Sequence, residues 1–248
     1  MYGPIFYTAG RTDALTRAEA ILHSQGCPFA SEPNLSVTHL LLDIPAFAAD
    51  GSLRCGGSLD DILPFLSPSV KICGGYLHNH IPDCYQKIDL LEDPFYTAEN
   101  ARITAHCAVA LAMKKLPRVL FGCPVLIIGC GRIGKCLADL LKNMGARVTV
   151  AARKVADRSI LEALGYETLD TAKLAYSLVR FRVIFNTVPS PILSAENLAY
   201  APDDCLKIDL ASIPGMDSPD VIQARGLPGK DAPESSAVLI AQTLLRLR

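Results

Sequence analysis

Neither sign of charge is in excess in this sequence: 24 Lys and Arg face 25 Asp and Glu, for a formal net charge of −1. That balance gives no electrostatic footprint for nucleic acid or for an anionic membrane. No apolar run approaches the roughly 18–20 residues that span a bilayer, so no transmembrane helix is expected. The amino-terminal MYGPIFYTAGRTDAL lacks a basic stretch leading into an apolar one, does not read as a signal peptide, and points to a cytoplasmic protein. The nine cysteines include no C-x-x-C pair. In a reducing compartment most of them act as small buried hydrophobes. A G-x-S-x-G elbow and a Ser-His-Asp order are also missing, which argues against a hydrolase.

Half of the 248 residues are hydrophobic and a fifth are charged, the balance of a soluble globular chain able to build real cores. The length suits two domains. Strand-like runs at 4–10, 37–45, 70–77 and 87–93 alternate with helical patterns at 12–24 and 59–66, which implies a parallel sheet. Residues 1–97 are thus expected to form a flavodoxin-like substrate or partner domain. From Thr97 the Ala-rich TAENARITAHCAVALAMKKL reads as a helix, with Thr97 as candidate cap and Lys114 and Lys115 at its carboxyl end. It leads into a second domain over 98–233, and a last helix at 234–248 is expected to return to the first domain. Further strands are expected at 182–188, 206–210 and 221–224. The fold class expected is α/β, with two doubly wound parallel-sheet domains, the second Rossmann-like.

The second domain opens on the strand CPVLIIG, followed at once by G-x-G-x-x-G at Gly129, Gly131 and Gly134 and by a helical pattern. The first glycine permits a tight turn, the second lets the backbone approach a pyrophosphate, and the third allows close helix–strand packing. Arg132 and Ile133 lie inside this loop and contribute backbone N–H groups. An NAD site wants Asp or Glu at the end of the second strand, but Ala151 and Ala152 stand there, followed by Arg153 and Lys154. Two cations suit the 2′-phosphate of NADP, although a solvated loop would look the same. Thr187, Val188 and Pro189 end the next strand, either facing the nicotinamide or simply terminating the strand.

VLIIGCGRIGKCLADLLKNMGARVTVAARK, VIFNTVPSPIL, IDLASIPG, GLPGKDAPESSA and DPFYTAENA resemble the A-subunit family of dipicolinate synthase over roughly residues 90–240. The resemblance implies NADP-linked oxidation of dihydrodipicolinate to dipicolinate in sporulating bacteria, together with a B subunit. The sequence departs from that pattern after IDLASIPGMD, where only SPD separates Asp217 from VIQARGLPG in place of a further helix. The shortened segment 213–221 thins a sheet edge and bears on assembly or specificity.

A small dicarboxylate needs cations and N–H donors, and its expected place is the carboxyl ends of strands, between the domains. Lys230 and Ser212 are the catalytic candidates, with Asp209 ordering backbone. Thr97, Asn100, Arg102 and Gly229 are the substrate-binding candidates. Cys73, His78, His80 and Cys84 match no common zinc spacing, and no metal is expected. VTVAARK also resembles the shikimate dehydrogenases, which leaves an NADP reductase as an alternative. A non-catalytic, cofactor-binding scaffold protein is another. The partners expected are a small dicarboxylate substrate, the dipicolinate synthase B subunit and, in a homo-oligomer, a further copy of the chain.

Overall fold

The computed structural model describes residues 3–48 and 50–247. In chain order its elements are β1 (Phe6–Thr8), α1 (Asp13–Ser24), β2 (His39–Leu41), β3 (Lys71–Gly74), β4 (Gln86–Asp89), α2 (Pro94–Lys115), β5 (Pro124–Ile128), α3 (Arg132–Asn143), β6 (Arg147–Ala151), α4 (Val155–Ala163), β7 (Glu167–Leu169), β8 (Val183–Asn186), α5 (Ala195–Leu198), β9 (Leu206–Asp209), β10 (Ile222–Gln223), α6 (Leu227–Asp231) and α7 (Pro233–Leu247). The chain divides into two compact units, one of residues up to Asn100 together with Pro228 onward, the other Ala101–Leu227. Two parallel sheets with flanking helices bear out the expected α/β class.

The first unit holds four parallel strands in the order β1-β2-β3-β4. Each strand lies beside its sequence neighbour, so the reversal of order that a flavodoxin-like sheet would show does not occur. Among the described residues only β1 and β2 are joined by a full α-helix, and the helix anticipated over 59–66 is two 3₁₀ turns, Leu59–Asp61 and Leu63–Phe65. Pro64 lacks the N–H an α-helix would need there. Leu40, Leu42, Val70 and Ile72 face Phe47, Leu53, Leu66, Leu77 and Ile81 from these connections, so loop residues build this side of the core. Burying each such side chain contributes roughly 1.5–3 kcal/mol. The carboxyl-terminal helix α7 packs along α1, joined at its start by Arg17 and Glu234 at 3.0 Å. The last residue of the helix anticipated there, Arg248, lies outside the described residues.

Two buried aspartates close the loops of this unit. Asp43, just beyond β2, accepts the N–H groups of Arg11 and Thr12 and the Thr12 hydroxyl, tying down the turn between β1 and α1. Asp89, ending β4, accepts the N–H groups of Leu77 and Leu91.

The second unit is a six-stranded parallel sheet, β10-β9-β8-β5-β6-β7. Counted within the unit this is the order 6-5-4-1-2-3, doubly wound, with the topological switch between β5 and β8. Leu126, Ile128 and Ile184 point into a core with Leu174, Leu178, Phe181, Leu193 and Leu198. By strand alternation Val125 and Ile127 point the other way, the side on which α3 buries Leu137, Ala138 and Leu141. The edge strand β10 pairs with β9 through Ile222 and Gln223, and no helix intervenes between them among the described residues. The long helix α2 gives Pro94–Asn100 to the first unit and Ala101–Lys115 to the second.

Candidate functional site

The glycine turn lies between β5 and α3, beside the switch point, where sheets of this order receive dinucleotides. Gly129 has φ +109°, a conformation closed to other residues without strain. A methyl on Gly134 would collide with the Gly129 carbonyl oxygen, so the third glycine lets the helix sit against the strand end. Gly131 differs: a methyl there would meet nothing within 4 Å. Gly131 is also the cap of α3 and supplies no side-chain cap, while the N–H groups of Arg132, Ile133 and Gly134 lack intrahelical acceptors. Open space over uncapped N–H groups at a helix start fits a pyrophosphate. The residues present therefore fit the pyrophosphate of a dinucleotide.

At the end of β6, Ala152 is buried and Arg153 and Lys154 are exposed. Neither cation has a side-chain partner among the described residues. No carboxylate occupies the strand end. Arg158, which sequence reasoning passed over, folds back from α4 and donates to the carbonyls of Ala152 at 2.7 Å and Arg153 at 2.9 Å. Its other nitrogen meets Asp170 at 3.2 Å, just beyond β7.

Thr187, Val188 and Pro189 follow β8. The Thr187 hydroxyl donates to the Ile128 carbonyl at 2.9 Å and lies where a Gly129 side chain would go, so it buttresses the glycine turn from behind. Val188 is held at both backbone groups by Asn186: its N–H donates to Oδ1 at 3.0 Å, and its carbonyl accepts from Nδ2 at 3.1 Å. Asn186 Nδ2 also donates to Asp209, which in turn accepts the N–H groups of Ala211, Gly215 and Met216. Asn186 was not among the residues singled out from sequence, whereas Asp209 orders backbone as expected. Pro189 and Ser212 are exposed on the two loops that this pair shapes.

The remaining candidates lie on α2 and α6. The cap of α2 is Asp93, whose carboxylate accepts the Tyr96 N–H at 2.7 Å, with Pro94 opening the helix; this corrects the expected cap, Thr97. Thr97 instead donates its hydroxyl to the Asp93 carbonyl at 3.0 Å. Asn100 and Arg102 lie in later turns, away from the helix start. Gly229 and Lys230 are exposed on the short α6, so Lys230 is not the desolvated group that acid–base chemistry would want.

Cys73, His78, His80 and Cys84 are not drawn together as a metal-binding set. Burial pushes the Cys73 thiol up to about 12, Lys71 opposing weakly, and Cys84 is exposed. His80 stacks on Phe47 with ring centroids 4.3 Å apart. His78 pairs with Glu92 at 2.9 Å, and both approach Asp89.

Residues 112–224 match the D-isomer specific 2-hydroxyacid dehydrogenase family, NAD binding domain. Over 185 residues the chain is 28% identical to the dipicolinate synthase A subunit of Bacillus subtilis (strain 168). That match takes in 71% of this chain and 62% of the relative, less than two thirds of the latter's length. The crystal structure of the dipicolinate synthase A subunit from Bacillus subtilis superposes with a TM-score of 0.84 at 22% identity, covering 100% of this chain and 96% of that one. The A subunit from Bacillus halodurans superposes with a TM-score of 0.83 at 21% identity, covering 98% and 96%. No helix among the described residues is long and apolar enough to cross a membrane. The resemblance read from the sequence is thus borne out: the chain is an α/β protein similar to the dipicolinate synthase A subunit in sequence and fold, and residues 112–224 of its second unit are similar to the NAD binding domain of an oxidoreductase family.

Proposed function

We propose that this chain is the A subunit of a dipicolinate synthase, oxidising dihydrodipicolinate to dipicolinate with NADP in the cytoplasm of sporulating cells. The observation that carries the reading is the open, uncapped glycine turn at the switch point of the second unit. Similarity to the Bacillus subtilis protein supplies the substrate, and that protein's being one subunit of its enzyme supplies the expectation of a B partner. The preference for NADP rests on Arg153 and Lys154, exposed without side-chain partners where an NAD site would place a carboxylate.

NADP, when bound, takes up the hydride that the dihydropyridine ring gives up as it becomes aromatic, and the accompanying proton passes to solvent. The chain's own task is to hold the two reactants. The N–H groups of Arg132 and Ile133 meet the pyrophosphate, and Arg153 and Lys154 meet the 2′-phosphate. Val188 and Pro189, held by Asn186, shape the nicotinamide end. Lys230 and Ser212, each exposed on its own unit, are separate candidates to contact a substrate carboxylate, and Thr97, Asn100, Arg102 and Gly229 are secondary candidates for the same role.

Titration with NADPH and NADH, read by cofactor fluorescence, tests the reading. Tight NADPH binding and weak NADH binding are expected. Arg153→Ala should weaken NADPH by about 10- to 150-fold, the equivalent of one charge-assisted hydrogen bond, and spare NADH. Equal losses for both cofactors would remove Arg153 from the assignment. Dihydrodipicolinate oxidation assayed with and without the B subunit then separates an enzyme from a cofactor-binding scaffold, which would turn over only when the partner is added.

A further inference from the structure

We infer that Arg158 is a positioning residue for the choice between NADPH and NADH, acting on the 2′-phosphate site of Arg153 and Lys154 through the backbone of the β6–α4 turn and not by touching the cofactor. The inference rests on the NADP reading above and assigns a role to a side chain that the glycine motif does not include.

The turn at 152–154 is a short piece of chain with two solvated cations on it, and nothing in Arg153 or Lys154 themselves holds it in one shape. Two ties do so from outside. The Ala152 N–H donates to the Leu169 carbonyl at 3.0 Å, fixing the strand end against β7. The Arg158 guanidinium then binds the next two carbonyls, those of Ala152 and Arg153, with one nitrogen. A second nitrogen anchors on Asp170, which is itself fixed by accepting the Ala172 N–H at 3.0 Å. With a side-chain exposure of 17%, the guanidinium is largely enclosed, and its planar fork is committed to these acceptors.

Two consequences follow for an anion at this turn. Carbonyl oxygens carry partial negative charge, and binding both of them to a cation keeps them from repelling an anion held by the exposed Arg153 and Lys154. The cap of α4, Lys154, makes no side-chain cap bond, and Asp157 is the acidic residue in the first turn, so the cations of the turn and not the helix start carry the attraction for an anion. Arg158 therefore pre-arranges the exposed cations before the phosphate arrives, which reduces the ordering cost of binding. NADH has no 2′-phosphate and gains nothing from that arrangement.

The test is titration of the whole protein with NADPH and with NADH for the wild type, Arg153→Ala, Arg158→Gln and Arg158→Lys, with thermal unfolding recorded for each. Arg158→Gln is expected to bind NADPH about tenfold more weakly while NADH affinity stays within about twofold. Arg158→Lys, which reaches one acceptor with its charge intact, should lie between. A merely structural role would lower both affinities together, and that result overturns the inference. So does an Arg158→Gln protein that binds NADPH as the wild type does. If Arg158→Gln does not fold, Asp170→Asn removes the anchor alone and should show the same selective loss in smaller measure; unchanged selectivity there overturns the inference. A wild type that takes both cofactors alike overturns the NADP reading and this inference with it. A wild type selective through Arg153 but indifferent to Arg158 overturns this inference alone.

Discussion

The Asn186 amide donates to the Asp209 carboxylate at 2.9 Å across the carboxyl ends of β8 and β9, and neither residue has any exposed surface. Between them the two side chains bind backbone groups of Val188, Ala211, Gly215 and Met216. Two loops at the strand ends thereby share one support, and every polar atom of that support is used. A fully satisfied buried network of this kind is stiff, and it is costly to break at one member.

Asn186→Asp keeps the shape of the side chain and puts a second carboxylate against Asp209. One of the two must then hold a proton, and the donor to Val188 is lost as well. A loss of about 2–4 kcal/mol at pH 7 is expected in urea unfolding. The deficit should shrink at pH 5, where the pair takes up its proton at lower cost.

Gly131 and Gly134 separate cofactor binding from folding. Gly131→Ala meets no atom within 4 Å, so its melting temperature should match the wild type, while the methyl enters the space over the helix start and lowers dinucleotide affinity by about tenfold or more. Gly134→Ala drives a methyl into the Gly129 carbonyl and should cost about 1–3 kcal/mol in stability. Equal stability of the two variants would contradict the geometry.

His39 is buried against Phe6, and desolvation, helped by Lys71, lowers its pKa from 6.5 to about 4. The unfolded chain takes up this proton near pH 6.5, whereas the folded chain resists until about 4. In that window the unfolded state binds more protons, so stability falls as the pH falls, by up to about 2–3 kcal/mol from this residue. His39→Phe should flatten this part of the profile; the difference between the two denaturation curves at pH 7 and pH 5 measures it.

Lys230 is exposed, which suits pairing with a substrate carboxylate better than moving a proton. If the chain oxidises dihydrodipicolinate as proposed, KM for that substrate should rise by about tenfold in Lys230→Ala with kcat little changed, the pattern of lost uniform binding. Steady-state kinetics in the presence of the B partner would show it. A collapse of kcat at unchanged KM would instead place Lys230 in the chemistry.

The second unit was legible because its signals are local. β5 and β6 read as near-continuous apolar runs, as strands buried on both faces do, and the three glycines stand at fixed offsets between strand and helix. Asn186 and Arg158 were not legible. Asn186 meets an aspartate 23 positions away, and Arg158 binds main-chain carbonyls, a contact available to any long donor and carrying no residue pattern. In the first unit the strands could be found but not ordered, because order is set by pairings between residues far apart in the chain, such as Phe6 with His39, which leave no local pattern. Asp93 was missed as a cap because Thr97, four residues on, is an equally good capping residue type but lies inside the helix.

The turn before α1 resembles the one before α3 in position, since both lead from the first strand of a parallel sheet into a helix. The difference is the Asp43 carboxylate. It already receives the N–H groups of Arg11 and Thr12, so an internal carboxylate stands beside this turn, although the first N–H groups of α1 itself are uncapped, as those of α3 are. A built-in anion repels a second one, so if the chain binds a dinucleotide as proposed, its titration should end at one equivalent per polypeptide.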